Sequence, residues 1–196
     1  RYMTEFWGSH PIYEVYRQCR FGPMRADVFR YCIIWERGGY YLDFDKGVSC
    51  SLRSLHNPAT SALVTAENNA ALFFPEGQAT KYLSYPHNLY AQWVFAFEKG
   101  HDLLRIAIDR IVEIAPHFSE RIFANPKNAI LTMTGPGLFT FALRRYLEMA
   151  GDKDLVQAGI DMNGFGIFRL PGSKLTRPTK HRYTSHSNEE ILGRLA

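Results

Sequence analysis

Residues 25–47 read R-A-D-V-F-R-Y-C-I-I-W-E-R-G-G-Y-Y-L-D-F-D-K-G: a helix, a Gly-Gly stop and a short strand carrying two carboxylates. Gly22-Pro23 precedes the helix, and Gly38-Gly39 supplies residues that tolerate the left-handed geometry closing one. Val28, Tyr31 with Cys32, and Trp35 recur at helical spacing, which predicts one buried stripe. Asp27 and Arg30 are one turn apart and share a helix face.

A strand is expected over residues 40–45. Its side chains alternate, so Tyr40, Leu42 and Phe44 face one way and Tyr41, Asp43 and Asp45 the other. Two carboxylates on one face repel each other. A divalent cation removes that cost, because hard cations prefer carboxylate oxygen. The Asp-x-Asp is therefore a candidate metal cradle, with a solvated strand face as the alternative.

The ordered combination of R-A-D-V-F-R-Y, a helix-length run, G-G-Y-Y-L and D-F-D resembles the sugar-binding region containing the DXD motif of glycosyltransferase family 32. That family includes fungal mannosyltransferases and bacterial capsule and toxin-like sugar transferases. The resemblance is specific over 25–45, looser over roughly 60–147 and faint elsewhere. It implies a GT-A type α/β fold, a mixed, mainly parallel sheet with helices on both faces. It also implies a retaining transfer of sugar from a nucleotide-diphosphate donor to a glycan or other hydroxyl acceptor. By the same resemblance, Asp45 binds the metal directly, and Asp43 contacts the metal and the donor's ribose or sugar hydroxyls. Arg30 and Asp27 hold the donor sugar, and the catalytic set is Asp43, Asp45 and Arg30. Asn88, ahead of F-E-K-G-H, is a candidate sugar ligand. Gly135 and Pro136 of Thr-Gly-Pro fall at the donor pocket. The alternative for that tripeptide is a well-capped turn into a helix. His181, in H-R-Y-T-S-H, stands where family members place a late metal-binding His. His186 occupies the following Trp position, so His181 as third ligand stays open beside an exposed tail histidine. The implied cofactor is Mn²⁺ or Mg²⁺, with Mn²⁺ favoured if an imidazole ligates. The family's early Ile-His-x-x-Trp pattern is not found, and the chain opens at Arg1, so either the fold is N-terminally truncated or the base site is built differently.

Length and composition agree with this. The chain has 196 residues, 46% hydrophobic and 21% charged, enough for one domain with a real core. The mild formal charge of +4 suits an anionic nucleotide and does not call for nucleic acid. Three cysteines without C-x-x-C spacing argue against a disulfide framework and a zinc site, leaving a Cys19–Cys50 bridge open. No apolar run has the length of a membrane span. The sequence does not give the compartment: a soluble domain is expected, cytoplasmic or Golgi-lumenal if part of a longer protein.

Elsewhere, Pro11 opens a short helix through Gln18, and Trp7 is expected to pack on the 25–37 helix. Strands are expected at 61–66 and 70–74, joined as a hairpin by Glu67-Asn68-Asn69. Residues 77–86 are expected to form a surface loop. Helices are expected over 89–99 and 102–115, with His101 starting the second. A strand is expected at 129–134, a helix from Pro136 to Gly151 and a short strand at 166–170. From about 171 a basic, partly mobile segment carries Lys174, Arg177, Lys180 and Arg182. Two other classes also use such aspartates: a nucleotide- or sugar-binding protein without turnover, and a metal-dependent nucleotidyl or phosphoryl transferase.

Overall fold

The computed structural model describes residues 1–54, 60–68, 77–163, 166–170 and 186–195. In chain order the helices are α1 (Tyr2–Trp7), α2 (Pro11–Gln18), α3 (Gly22–Arg37), α4 (Asp102–Ile114), α5 (Pro126–Met133) and α6 (Pro136–Ala150). The strands are β1 (Gly39–Leu42), β2 (Lys46–Val48), β3 (Ala62–Ala66), β4 (Val94–Phe97), β5 (Ile122–Phe123), β6 (Leu155–Ile160), β7 (Ile167–Arg169) and β8 (Glu189–Glu190).

A four-stranded sheet runs β1-β4-β3-β6. β4 lies antiparallel to both β1 and β3, and β3 lies parallel to β6. The sheet is thus mixed, with parallel pairing at β3–β6 among the described strands. Two small ribbons, β2–β7 and β5–β8, stand apart from it.

The pleat sorts side chains between two cores. Phe95 and Phe97 of β4 join the larger one, which collects buried residues from α1 through α6. Val94 and Ala96 face the other side with Leu63, Ala158, Met162 and Ile167, over which Tyr40 and Leu42 lie. Helices had been expected on both faces. Among the described residues, this second face is instead covered by the β2–β7 ribbon and the turn after β6.

α3 follows from its sequence signals. Pro23 sits in its first turn, and Gly38 ends it at φ 71°. A Cβ on Gly38 would sit 2.8 Å from the Lys99 amide nitrogen, so only glycine lets the chain turn this tightly into β1. Val28, Tyr31 and Cys32 are fully buried. Trp7 packs edge-on against Trp35, with ring centres 5.5 Å apart. α2 and α6 fall where expected. All three cysteines are free thiols, so the Cys19–Cys50 bridge does not form.

Three segments differ from expectation. The 89–99 segment is not a helix. Val94–Phe97 is the interior strand β4, buried along its whole length. A strand covered on both faces is a continuous apolar run, which periodicity alone cannot separate from a helix. Conversely, the segment around Ala129–Met133 is helical. Asn125 caps it through Asn128 N at 3.1 Å, Pro126 starts it, and these signals outweigh the β-branched composition. Residues 77–86 hold a 3₁₀ turn, Gln78–Lys81, which packs on α6 with Ala79 fully buried. Residues 69–76 and 171–185 lie outside the described residues, and with them the hairpin's second strand, His181 and most of the basic tail. No helix among the described residues is long and apolar enough to cross a membrane.

His101 caps α4, its Nδ1 accepting from Leu103 N at 3.1 Å. It is sandwiched between Phe97 and Tyr146. Burial pushes its imidazole down to about 4. On acidification the unfolded chain therefore takes up this proton first, near 6.5. The stabilisation from neutral His101 is complete above that pH and is lost as pH falls toward 4. His101→Asn keeps a capping oxygen without the titration. Urea midpoints between pH 7 and 4.5 should fall more steeply for wild type than for the variant. Equal slopes would contradict this account.

Candidate active site

The strand expected at 40–45 stops at Leu42. Asp43 N still donates to Trp93 O at 2.8 Å, but Lys46 N donates back to Asp43 O at 2.9 Å, closing a turn. Alternation therefore ends at Asp43. Tyr41 and Asp43 share a face as expected, their side chains joined by the Tyr41 hydroxyl donating to Asp43 Oδ1 at 2.9 Å. Phe44 projects into solvent, 76% exposed. Asp45 sits within the turn. Its carboxylate pairs with Lys46 Nζ at 3.1 Å, and that ammonium lies 4.7 Å from the Trp93 ring centre.

The centre of the site is Arg30. Its Nη2 lies 3.3 Å from Asp27 Oδ1 and 3.4 Å from Asp43 Oδ1. Its Nη1 donates to Gln92 O at 2.7 Å, and the Tyr41 ring lies 4.6 Å from the guanidinium carbon. Asp27 and Arg30 are 3% and 6% exposed, so both charges are held inside the protein. Asp27 is ion-paired with Arg30 and accepts hydrogen bonds from Gln92 Nε2 at 3.0 Å and Thr134 Oγ1 at 2.9 Å. The Tyr31 hydroxyl lies 2.6 Å from Gln92 Oε1 and 2.9 Å from Thr134 O. These bonds tie α3, the chain before β4 and the α5–α6 junction to one point.

Burial raises Asp27 to about 7, against the pull of Arg30 and of the Thr134 hydrogen bond. Burial likewise disfavours the Arg30 charge, but Asp27 and Asp43 outweigh it and the guanidinium is held more firmly protonated. Burial raises the Tyr41 phenol, which remains a donor to Asp43.

These groups line a cleft of about 400 Å³. Asp27, Arg30, Asp43 and Pro136 contribute to its wall, as do Glu67, Gln92, Trp93 and Lys127. Of the other expected site residues, Asn88 donates Nδ2 to Glu67 O at 2.8 Å, holding the end of β3. Gly135 caps α6, packed so closely that a Cβ would sit 2.7 Å from Leu131 Cα. His181 lies outside the described residues. Glu67, Gln92, Trp93 and Lys127 were not anticipated as site residues. Only Gln92 left a trace in the sequence, as a polar side chain inside the apolar run L-Y-A-Q-W-V-F. Burial and nearby Asp161 raise the Glu67 carboxyl.

No group of three His, Cys, Asp or Glu poised for a metal occurs among the described residues. The donor set still fits one mode of divalent binding, in which one or two carboxylates share the ion with substrate phosphates and water. Asp43 and Asp45 supply hard oxygens for it. Lys127 and Arg30 line the same cleft with Asp27, Asp43 and Glu67, so an anionic ligand would suit it together with a dication.

Removing one member of the buried cluster leaves the rest without a partner. Asp27→Ala should cost about 3 kcal/mol, the scale for breaking a buried ion pair. Asp27→Asn, which keeps an acceptor, should cost less. Urea unfolding of both variants checks this; equal losses would show that the charge and its hydrogen bonds do not hold the cluster.

Asp27, Arg30 and the D-F-D turn sit within a recognisable sequence region. Residues 3–64 match the family model described as glycosyltransferase sugar-binding region containing DXD motif. The chain is 27% identical over 139 residues to the initiation-specific alpha-1,6-mannosyltransferase of Candida albicans, an alignment covering 64% of this chain and 35% of that protein. Among solved structures it is similar to the PaToxG glycosyltransferase, with a TM-score of 0.52 and 18% identity, covering 78% of this chain and 47% of the other. The chain thus spans about a third of the mannosyltransferase and about half of the solved chain. The structural likeness shows the fold, a mixed α/β arrangement of the GT-A type with a partly parallel sheet. The family match falls on α3, β1 and the D-F-D turn, so this region is similar to the sugar-binding region of family 32-like glycosyltransferases.

Proposed function

We propose that this chain is a metal-dependent, retaining glycosyltransferase domain that moves a sugar from a nucleotide-diphosphate donor to a hydroxyl acceptor. One observation carries the reading: Asp43 of the D-F-D motif is held on buried Arg30 at the wall of a cleft that Lys127 also lines. The family match and the mannosyltransferase relative support the class of reaction.

The donor's diphosphate lies toward Lys127 and the D-F-D turn. A divalent cation bound by Asp43 and Asp45 would supply Lewis-acid stabilisation of the leaving diphosphate. Mn²⁺ and Mg²⁺ both meet that need. Lys46, on a flexible stem beside Asp45, offers a further positive charge to the same phosphates. Asp27, Arg30 and Gln92 form a rigid polar wall for the donor sugar's hydroxyls, and rigid positioning is worth a large share of rate. Trp93 supplies an aromatic wall. Asp27 and Asp43 are both committed to Arg30, which leaves neither placed as a free nucleophile. Front-face attack is therefore favoured: the bond from the anomeric carbon to the phosphate oxygen breaks as the acceptor oxygen bonds on the same face. The acceptor's proton passes to the departing phosphate.

A hydrolysis screen of UDP- and GDP-sugars with Mn²⁺ or Mg²⁺ tests this, with mannose donors first because of the relative's name. Free sugar and nucleoside diphosphate are the expected products. Pyrophosphate release would point instead to a nucleotidyl transferase, and metal-dependent nucleotide binding without any turnover to a binding protein. Asp45→Ala should abolish turnover and lower Mn²⁺ affinity while leaving the fold intact; full activity would overturn the metal assignment. Arg30→Lys keeps the charge but not the planar fork. It should lower kcat about 100-fold, the scale of a small misplacement, with nucleotide affinity nearly unchanged. Parallel loss of nucleotide affinity would mean that Arg30 acts through the D-F-D turn that it anchors and not on sugar position.

A further inference from the structure

A second cavity, of about 680 Å³, has no part in the site described above. Two chain segments lead into it from the cleft. Glu67 lines the cleft and the next residue, Asn68, lines the second cavity. The D-F-D turn likewise leaves Asp43 at the cleft and runs on through β2 to Ser49 at the second cavity. The carboxyl of Glu67 also feels Asp161, which lines the second cavity, so the two spaces adjoin.

The lining combines three kinds of surface. Met162 and Ile167 are buried and form an apolar floor. Asn68, Asp161 and Asn163 are exposed polar side chains on the rim. Phe168 is a large aromatic wall left 45% exposed. Its ring lies across Gly47 of the paired strand, where a Cβ would come within 2.8 Å of Phe168 Cζ. The rim is rigid. Asp161 and Met162 both adopt left-handed backbone, at φ 50° and 57°, which side-chain-bearing residues disfavour. Asp161 N donates to Ala66 O at 2.7 Å, and Met162 N to the buried Thr65 hydroxyl at 2.9 Å. Those bonds to β3 hold the turn and keep Asp161 and Asn163 at the opening.

The chemistry differs from that of the cleft. The cleft carries Arg30 and Lys127 beside Asp27, Asp43 and Glu67, a mixed charge set suited to an anion that arrives with a dication. The described residues lining the second cavity include no Lys or Arg, and their one charge is Asp161. An apolar floor, an aromatic face and a rim of amide and carboxylate groups match a neutral, hydroxyl-rich ring: apolar C–H faces against Phe168, hydroxyls to Asn68, Asp161 and Asn163. We propose that this cavity, walled by Phe168 and rimmed by Asn68, Asp161 and Asn163, binds a neutral sugar ring of the acceptor glycan. Calling that sugar the acceptor rests on the glycosyl-transfer reading above; the binding of a neutral sugar does not.

Saturation-transfer NMR with methyl α-mannoside and methyl α-glucoside as probes tests the cavity. Saturating GDP or UDP with Mg²⁺ is added in a second arm. At least one glycoside should receive saturation, and should keep it when nucleotide fills the cleft. The Met162 methyl signal, assigned through Met162→Leu, should shift on adding that glycoside. Phe168→Ala and Asn163→Ala should each weaken glycoside binding about tenfold, the loss expected of an anchoring contact. Asn163 lies exposed on the rim, so its variant decides the matter if Phe168→Ala fails to fold. No saturation with either glycoside, displacement by nucleotide, or unchanged binding in the variants would overturn the proposal. Failure of nucleotide to bind wild type would instead overturn the donor assignment, leaving the glycoside result to stand or fall alone.

Discussion

The structure depends on one buried guanidinium shared by two carboxylates. Arg30 holds Asp27 beneath it and Asp43 at its outer edge. An isolated charge at this depth would be very costly, so the group persists only because its partners neutralise and hydrogen-bond it. The partners come from distant parts of the chain: Asp27 from α3, Asp43 from the end of β1, Gln92 from the approach to β4 and Thr134 from the α5–α6 junction. The cluster is therefore both the wall of the cleft and the point at which four segments are registered.

That arrangement gives the two motif aspartates different roles. Asp43 is fixed by a buried partner, by the Tyr41 hydroxyl and by its own backbone bond to Trp93. Asp45 sits in a turn with Lys46, whose side chain has a long rotatable stem. Arg30 and Lys46 offset the like charges of Asp43 and Asp45. A bound dication would exchange the Lys46 contact for a metal contact while the Arg30 contact stays. On the proposed metal-dependent reading, the fixed acid would set the geometry and the adjacent one would respond to the ligand.

Much of this was legible in residues 25–47, because local signals there agree with one another. The helix has a proline start, a Gly-Gly stop and one apolar stripe, and a pair of opposite charges one turn apart needs no tertiary information to recognise. Where local signals conflicted, the outcome depended on neighbours. Val94–Phe97 became a strand because both of its faces are covered, and Ala129–Met133 became helical because Asn125-Pro126 capped it. The parallel strand β6 left no clear signature: its half-buried Gln157 is held by Tyr90 and the Tyr82 carbonyl, a fact of tertiary packing alone. Gln92, Glu67 and Lys127 reach the site only through folding. Their roles could not be read from spacing.

The central claim is that the Arg30-anchored D-F-D turn and Lys127 together form a metal-dependent nucleoside-diphosphate site. Calorimetric titration of GDP and UDP into the chain, with Mn²⁺ and then with chelator, tests it most directly. The account predicts binding of at least one nucleotide that weakens by an order of magnitude or more when the metal is withdrawn. Equal affinity with and without metal, or no binding of either nucleotide in the presence of Mn²⁺, would contradict it.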